Sequence, residues 1–305
     1  MRIALAFIVF LSIAVVIILG EAFFLSSGVQ KKGEIMNAKG EAISTGDVND
    51  VNNPAITVVY DNNPYKEGLE TAWGFSALVT GTEKTILFDT GGDGSILLAN
   101  MEKLGIEPNS IEIVVLSHIH GDHTGGLADF LEKNPRIAVY LPKSFPKRFK
   151  DNVISCGAKV VEVEQPLKIC ENVYSTGPLG RLIREQALVI RMGKGLVVIT
   201  GCAHPGIVKI VNSAKQLLKD DVLLPAPVVP AQVTQIQLVM GGFHLEWTTK
   251  GKIEGIISSF KELGVRYVGP CHCTGDKARS LFEKHFGKNY INIGAGKVVT
   301  VADLQ

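Results

Sequence analysis

One short stretch of sequence decides the fold and the chemistry of this chain: Ser117-His118-Ile119-His120-Gly121-Asp122-His123. A largely apolar run at residues 112–116 precedes it and predicts a short buried strand, so the stretch is predicted to leave the end of that strand. Three histidines and one aspartate fall within its last six residues. Imidazole and carboxylate groups bind zinc in catalytic sites, which keep one position open for water. The stretch therefore predicts a metal site.

The spacing of these residues indicates two metal ions. Residues i and i+2 of an extended chain point the same way, so His118 and His120 can bind one ion. Gly121 then turns the chain, and Asp122 and His123 can reach a second ion. We expect two divalent ions, zinc first, with iron or manganese as alternatives, because such ligands suit all three metals.

Strand and helix patterns alternate on both sides of this stretch. The patterns predict strands at residues 56–60, 75–79, 85–89, 112–116, 137–141, 187–191, 195–200, 237–240, 266–268, 291–293 and 297–301, and helices at residues 95–104, 126–133, 207–218, 253–263 and 277–286. Two similar halves of this kind predict an α/β sandwich. Residues 220–235 contain three prolines and are predicted to form a long loop that could act as a lid.

The first part of the chain has a different character. Residues 3–19 carry no charge, and their length is close to that of a membrane-spanning helix. We expect residues 1–25 to form a hydrophobic helix that anchors the chain in a membrane through residues 3–25, with the catalytic domain on the extracytoplasmic side. The alternatives are a signal segment that is cleaved to release a secreted protein, and a buried helix. Residues 26–54 predict a flexible linker, and residues 55–305 a catalytic domain.

Composition limits the class of partner. The chain has 305 residues, of which 46% are hydrophobic, and a net charge of +1. It can therefore bury a large core, but it lacks the basic footprint of a nucleic-acid-binding protein. We expect a small-molecule substrate and no nucleic acid, and the composition does not indicate an oligomeric state.

Three further histidines follow apolar strands. They are His204, His244 and His272. Because strand ends converge at one edge of a sheet, we expect all three near the metal site. In the segment Cys271-His272-Cys273, alternation predicts that the histidine faces the site and both cysteines face away. A zinc knuckle in this segment would need a second cysteine pair, which the chain lacks.

From Ala55 to the C-terminus, these motifs resemble the metallo-β-lactamase superfamily. Residues 87–91, Leu-Phe-Asp-Thr-Gly, are similar to the FDTG element of that superfamily. The resemblance implies an αββα sandwich of two mixed β-sheets flanked by helices. It also implies that Asp89 supports the metal loop by hydrogen bonding to it, as histidine ligands commonly require, whereas turn chemistry alone would make it a turn residue.

The resemblance leaves one ligand open. In the superfamily the strand corresponding to residues 199–201 leads to an aspartate that bridges the two ions, but here Cys202 stands in that place. Either Cys202 supplies a thiolate, or His204 binds and solvent forms the bridge. We expect His204 as the ligand and Cys202 as a small buried residue beneath the site. The predicted ligands are then His118, His120, Asp122, His123, His204 and His272.

Three segments are similar to one subgroup of the superfamily: Gly-Cys-Ala-His-Pro-Gly, Gly-Gly-Phe-His-Leu and Pro-Cys-His-Cys-Thr-Gly. That subgroup includes the archaeal synthase that joins a dihydropterin pyrophosphate to ribofuranosylaminobenzene phosphate. Within it, His244 matches a position that could bind substrate phosphate or act as an acid. Binding a metal ion and a purely structural role are the alternatives for His244.

The predicted activity is hydrolysis of an ester or phosphoester by water that two metal ions activate. Asp122 would orient that water and bind one ion, and His244 would donate to the leaving group. One alternative is a dihydropterin pyrophosphate-dependent transferase, in which the ions bind the pyrophosphate. Another is a non-catalytic metal-binding or sensor protein on the same fold, because a fold alone does not fix function.

Overall fold

The structure, a computed structural model, describes residues 54–192, 195–217 and 235–305, together with the backbone of two short strands. These are β1 (Ile35–Met36) and β2 (Ala42–Ile43), which pair with each other in antiparallel fashion. They belong to a compact unit, Met1–Asp47, and the remaining described elements belong to a second unit, Val48–Gln305. The second unit contains every residue of the candidate site.

Seven strands form the first sheet of this unit. Their order across the sheet is β15 (Val298–Thr300), β3 (Ala55–Asp61), β4 (Phe75–Thr80), β5 (Ile86–Phe88), β6 (Ile113–Val115), β7 (Ala138–Pro142) and β8 (Lys159–Val163). Strands β15 to β5 pair antiparallel, and strands β5 to β8 pair parallel. The sheet is therefore mixed.

Six strands form the second sheet. Their order is β14 (Tyr267–Cys271), β13 (Ile236–Gly242), β12 (Gly195–Thr200), β11 (Leu188–Met192), β10 (Val173–Ser175) and β9 (Leu167–Cys170). Strands β12, β13 and β14 are parallel, and the remaining pairs are antiparallel. This sheet is also mixed, so each sheet has a parallel half whose strand ends can carry loops to a common site.

Helices cover the outer faces of both sheets. The described helices are α1 (Gly94–Lys103), α2 (Gly121–Thr124), α3 (Leu127–Lys133), α4 (Lys147–Ser155), α5 (Ile207–Gln216), α6 (Lys250–Glu262) and α7 (Asp276–Phe286), and all but the short α2 pack on a sheet. Leu97 and Phe130, from α1 and α3, pack with the outer residues of the first sheet. Ile210, Ile257 and Phe282, from α5, α6 and α7, pack in the same way on the second sheet.

Strand β12 is apolar at every position from Leu196 to Ile199 because both of its faces are buried. Leu196 and Val198 pack with the helices on the outer face, whereas Val197 and Ile199 pack between the sheets. Successive side chains of a strand point to opposite faces, so a strand buried on both sides needs a continuous apolar run. The layers are thus helices, sheet, sheet and helices, which confirms the predicted α/β fold of two mixed sheets flanked by helices.

Most of the predicted elements agree with the structure. Residues 291–293 were expected to be a strand, but they form none, although Ile291 N–H still donates to the carbonyl of Val268 at 2.8 Å. The sequence patterns did not predict α4 or strands β8 to β10, because α4 is mostly polar with Val153 its one buried residue, and these strands are short. The predicted lid falls mainly on residues 218–234, which lie outside the described residues.

The prediction of a membrane-anchored protein with an extracytoplasmic domain is corrected by the structure. A spanning helix needs about 20 consecutive apolar residues. Among the residues that the structure describes, no helix is both long and apolar enough to cross a bilayer. The longest of them, α6, has 13 residues and includes lysine and glutamate. The hydrophobic helix predicted at residues 1–25 lies outside the described residues.

Candidate metal centre

The residues of the candidate site lie just beyond the carboxyl ends of parallel strands. Asp89 follows β5, and His118 lies three residues beyond the last residue of β6. Cys202, His244 and His272 lie directly beyond β12, β13 and β14, within two residues of each strand end. Ligands of open α/β sheets bind at this edge of the sheet, so the topology brings the sequence motifs of both halves to one place.

The chain turns sharply where it leaves these strands. In the described part of the chain, four of the five non-glycine residues with positive φ lie here: Asp89 (57°), Ala203 (62°), His244 (52°) and His272 (47°). Residues with side chains adopt such angles at a cost of about 1–3 kcal/mol each, and they cluster at functional sites. The fold therefore holds these strand ends in strained conformations.

The buried carboxylate of Asp89 fixes the orientation of two histidines. Its Oδ1 accepts from Ser117 N–H at 2.6 Å, and its Oδ2 accepts from Ser117 Oγ and from His123 Nδ1, both at 2.7 Å. Because Ser117 Oγ donates to Asp89, it accepts from His118 Nδ1 at 2.9 Å. Both histidines then carry their proton on Nδ1, and each Nε2 keeps a free lone pair.

The first group of candidate ligands, position A, contains His118, His120 and His204. The Nε2 atom of His118 lies 3.1 Å from Nδ1 of His120. The ring of His204 lies with its centroid 4.8 Å from the centroids of both other rings. Its Nε2 is buried and has no hydrogen-bond partner. Three imidazoles from two different loops thus face one small volume.

The second group of candidate ligands, position B, contains Asp122, His123 and His272. The Oδ2 atom of Asp122 lies 3.2 Å from Nε2 of His272 and 3.5 Å from Nε2 of His123. Asn62 holds the third ligand, because its Oδ1 accepts from His272 Nδ1 at 3.0 Å and its Nδ2 donates to the His272 carbonyl at 3.4 Å. Asn62 is a contact that the sequence analysis did not identify.

The thiol of Cys202 lies among the ligand atoms of both positions. Its Sγ is 3.1 Å from Nε2 of His123. It lies within 4.8 Å of the ligand atoms of His118 and His204 at position A, and of the ligand atoms at position B. Cys202 was expected beneath the site, but its side chain points towards the candidate ligands.

A second residue that the sequence analysis missed, Glu185, shapes the loop after β12. Its Oε1 accepts from the backbone N–H groups of Cys202 at 2.9 Å and Ala203 at 2.8 Å, and its Oε2 accepts from His204 N–H at 2.8 Å. This fully buried carboxylate folds the loop so that Cys202 and His204 reach the same space. Burial raises the pKa of Glu185 to about 7, against the three backbone hydrogen bonds that lower it.

The protonation states of three candidate ligands suit a cation. Burial and the neighbouring histidines hold the pKa of His118 well below its usual value. Burial and His244 lower the pKa of His204 to about 4. Burial raises the pKa of Asp122, but the neighbouring His272 and His123 outweigh burial and lower it. Neutral imidazoles and an ionised carboxylate are the forms that bind metal ions.

The structure separates the two cysteines that flank His272. Cys271 packs between the sheets, as predicted. Cys273 was predicted to face away from the site, but its Sγ donates to the Cys202 carbonyl at 3.7 Å and lies close to His244. The reason is that residues 272–274 form a 3₁₀ turn instead of continuing the strand, so alternation ends at Cys271.

Trp73 is the last residue of the site that the sequence analysis missed. Its ring centroid lies 4.9 Å from that of His272, and the side chain remains about half exposed. A large aromatic surface therefore borders position B on its solvent side. A single tryptophan in a loop carries no sequence signal of such a role.

Comparisons with known proteins agree with this architecture. A sequence profile of the metallo-β-lactamase superfamily matches residues 74–213. The 7,8-dihydropterin-6-methyl-4-(β-D-ribofuranosyl)-aminobenzene-5'-phosphate synthase of Methanocaldococcus jannaschii is 27% identical over 291 residues, which cover 80% of this chain and 95% of the synthase.

Solved structures extend the likeness to three dimensions. The structure of a metal-dependent hydrolase of the β-lactamase superfamily is 31% identical, with a TM-score of 0.65, and the match covers 81% of this chain and 98% of that one. The metallo-β-lactamase fold protein YhfI from Bacillus subtilis has a TM-score of 0.59 and covers 82% of this chain and 99% of its own, but at 17% identity it shows the fold alone. With the two-sheet fold and the motifs, these matches show that the chain belongs to the metallo-β-lactamase superfamily.

Proposed function

We propose that this chain is a metal-dependent hydrolase that acts on a small-molecule ester or phosphoester. The observation that carries the proposal is the convergence of hydrogen-bond acceptors at position B. His123 and His272 each donate through Nδ1, to Asp89 and Asn62, so the Nε2 of each is an acceptor, with Cys202 Sγ 3.1 Å from that of His123. Both nitrogens face Oδ2 of Asp122, at 3.5 Å and 3.2 Å. Three acceptor atoms this close together repel one another unless a cation lies between them.

Ring nitrogens without hydrogen-bond partners, one at each position, also indicate bound cations. The buried Nε2 of His204 has no hydrogen-bond partner, and neither has that of His272, whose contact with Asp122 is short but poorly aligned. A buried polar atom without a partner costs about 1–3 kcal/mol. A metal ion at each position would remove that cost. The residues therefore fit two divalent ions, and zinc, iron and manganese all accept such ligands.

Divalent ions in such a site lower the pKa of water and polarise a carbonyl or phosphoryl oxygen of a substrate. The chain itself supplies the orientation. The carboxylate of Asp122 is 21% exposed, so it can accept a hydrogen bond from the attacking water while its Oδ2 faces position B. The imidazole of His244 is exposed beside His204, with ring centroids 4.5 Å apart. We assign one ring N–H of His244 the donation of a hydrogen bond to the leaving-group oxygen.

The test combines metal analysis with an assay on generic phosphoesters and esters. We expect the full chain to bind two ions at positions A and B, and the double substitution His118→Ala with His120→Ala to lose the ion at position A. Activity should fall about 100-fold or more, the effect of removing a strong electrostatic stabiliser. The control is His285→Ala, because His285 is exposed on α7. Less than one ion per chain, or full activity in the double variant, would disprove the proposal.

A second candidate function rests on the similarity to the synthase of Methanocaldococcus jannaschii, which extends over 95% of that protein. In this case the same two positions would bind the pyrophosphate of a dihydropterin substrate, and the chain would be a transferase. Parallel assays with simple phosphoesters and with a dihydropterin pyrophosphate separate the two functions. Turnover that requires both a pterin pyrophosphate and an aromatic amine acceptor would favour the transferase. Bound metal without turnover of any substrate would favour a sensor.

A further inference from the structure

A third cluster of ligand atoms adjoins positions A and B. The Sγ atoms of Cys202 and Cys273 and a ring nitrogen of His244 all lie within 4.8 Å of one another. Both cysteines are buried, and the histidine is exposed. We propose that these three residues form a third cation position, position C, which binds a soft or borderline divalent ion such as zinc or cadmium.

The two cysteines differ from the other buried cysteines of the chain. Cys170 and Cys271 belong to the hydrophobic core between the sheets, where a thiol serves as a small apolar side chain. Cys202 and Cys273 belong to none of the core clusters of the described residues. Their thiols instead lie close to each other and to His244, and that of Cys202 also lies close to ligands of the other two positions. Apolar packing therefore does not account for their placement.

The backbone around the cluster is built to bring the three side chains together. A Cβ atom on Gly242 would lie 2.8 Å from Cys273 Sγ and 3.2 Å from Cys202 Cα, so no larger residue fits there without displacing them. Thr274 Oγ1 accepts from Phe243 N–H at 3.0 Å and donates to the Cys271 carbonyl at 2.6 Å. These two bonds join the segment that carries His244 to the turn that carries Cys273.

His244 itself is held in a costly conformation. Its φ is 52°, in the left-handed region that a residue with a side chain adopts at a cost of about 1–3 kcal/mol. An exposed histidine has no packing reason to adopt that conformation. The conformation places the ring next to His204 and brings a ring nitrogen close to the thiols of Cys202 and Cys273. Because the ring is exposed, an ion can reach the buried thiols past it.

The ligand set determines the kind of ion. Position A has three imidazoles, and position B has two imidazoles and a carboxylate. Each position therefore has three candidate ligands before any thiolate is counted. Two thiolates and one imidazole, with a fourth place open, make a set typical of zinc and other soft or borderline ions. Cys202 also lies within reach of positions A and B, so its thiolate could bridge position C to a neighbouring ion. Binding would release the two thiol protons.

The experiment uses the full chain, kept reduced with a phosphine and freed of metal with a chelator. Cobalt(II) is then added in steps. Two quantities are measured: the number of metal ions bound per chain, and the thiolate-to-cobalt charge-transfer absorption. We expect three ions on the unmodified chain. Cys273→Ser should keep two ions and lose much of the charge-transfer band, with affinity at position C at least about 100-fold weaker. His244→Ala, at an exposed position, should also lose the third ion.

The control is Cys156→Ser, because Cys156 is an exposed thiol outside the site, and this variant should keep three ions. Circular dichroism checks that each variant is folded. An unmodified chain that binds only two ions, or a Cys273→Ser variant that keeps the third, overturns the proposal. Neither His244 nor Cys273 contributes a ligand to positions A and B, so either result leaves the two-ion function to be judged on its own test.

Discussion

The two halves of the molecule contribute to the metal centre in different ways. The first sheet delivers His118, His120, Asp122 and His123 from one continuous loop, and a single carboxylate, Asp89, sets the tautomers of two of them. The second sheet delivers its residues from three separate strand ends. There the positioning groups contact mainly backbone: Glu185 binds three N–H groups, and Asn62 binds both a ring nitrogen and a carbonyl of His272.

The difference separates two ways of building a ligand set. In the first half, hydrogen bonds between side chains fix which nitrogen of a histidine is free to bind. In the second half, the buried carboxyl group of Glu185 sets the course of the backbone, and the positions of the ligand side chains follow from it. Substitutions of the positioning residues should therefore affect the two positions unequally, and this comparison can be tested residue by residue.

The largest effect is expected from Asp89→Ala. The change leaves Ser117 and His123 without their buried acceptor. It also removes the hydrogen bonds that keep the protons of His118 and His123 on Nδ1, so their Nε2 atoms are no longer held ready to bind an ion. We expect the loss of both ions and a free energy of unfolding lower by about 3–5 kcal/mol. Metal analysis and urea unfolding measure the two effects. Asp93→Ala is the control, because this exposed N-cap of α1 should cost about 1 kcal/mol without loss of metal. Two ions retained after Asp89→Ala would contradict the role of this carboxylate.

A smaller and more selective effect is expected from Glu185→Gln. The amide keeps one acceptor oxygen but places an NH₂ group against a backbone N–H, so the turn that carries His204 loosens. Affinity should fall about 10–100-fold at position A and less at position B. Calorimetric titration of the metal-free protein resolves the two positions. Equal losses at both would show that Glu185 acts on overall stability instead of on this turn.

Asn62→Ala should act on the other position. Without Asn62 Oδ1, the ring of His272 loses the acceptor that keeps its proton on Nδ1. We expect affinity at position B to fall about tenfold, with position A unchanged. Asn212→Ala, at an exposed site on α5, is the matched control. A change at position A of the same size would remove the distinction between the two positioning residues.

The smallest effect is expected from Trp73→Ala. The ring borders His272 but binds no proposed metal ligand through a hydrogen bond, so metal content should not change. If the ring contacts bound substrate, KM should rise a few-fold, the equivalent of about 0.5–1.5 kcal/mol for an aromatic contact. Trp247→Ala provides the comparison, because Trp247 is almost fully exposed. Equal kinetics for both variants would show that Trp73 does not contact substrate.

The part of the metal centre that the first sheet contributes could be predicted from the sequence because its residues lie close together in the chain. His118, His120, Asp122 and His123 follow one strand, and that strand and the helix after the motif were predicted from periodicity. The alternation of strands and helices also predicted the α/β sandwich. Local spacing and apolar period are properties of short segments, so they are visible before the chain is folded.

The second half could not be read in the same way. Glu185 is an ordinary acidic residue before an apolar strand, and only the fold brings it under the loop at residues 202–204. Cys273 was expected to face away because alternation was extended through His272, where the positive φ and the 3₁₀ turn end it. Long-range contacts and strained backbone leave no periodic pattern in a sequence.

The shared carboxylate of Asp89 also has a consequence for the order in which ions bind. It orients His118 through Ser117 for position A and His123 directly for position B, so one arrangement of protons serves both. The first ion to bind stabilises that arrangement, so the second ion binds without the free-energy cost of ordering the protons. Such linkage is positive cooperativity, and it holds equally in either direction. Partly loaded protein should therefore consist mainly of empty and fully loaded chains, with few that carry a single ion at either position.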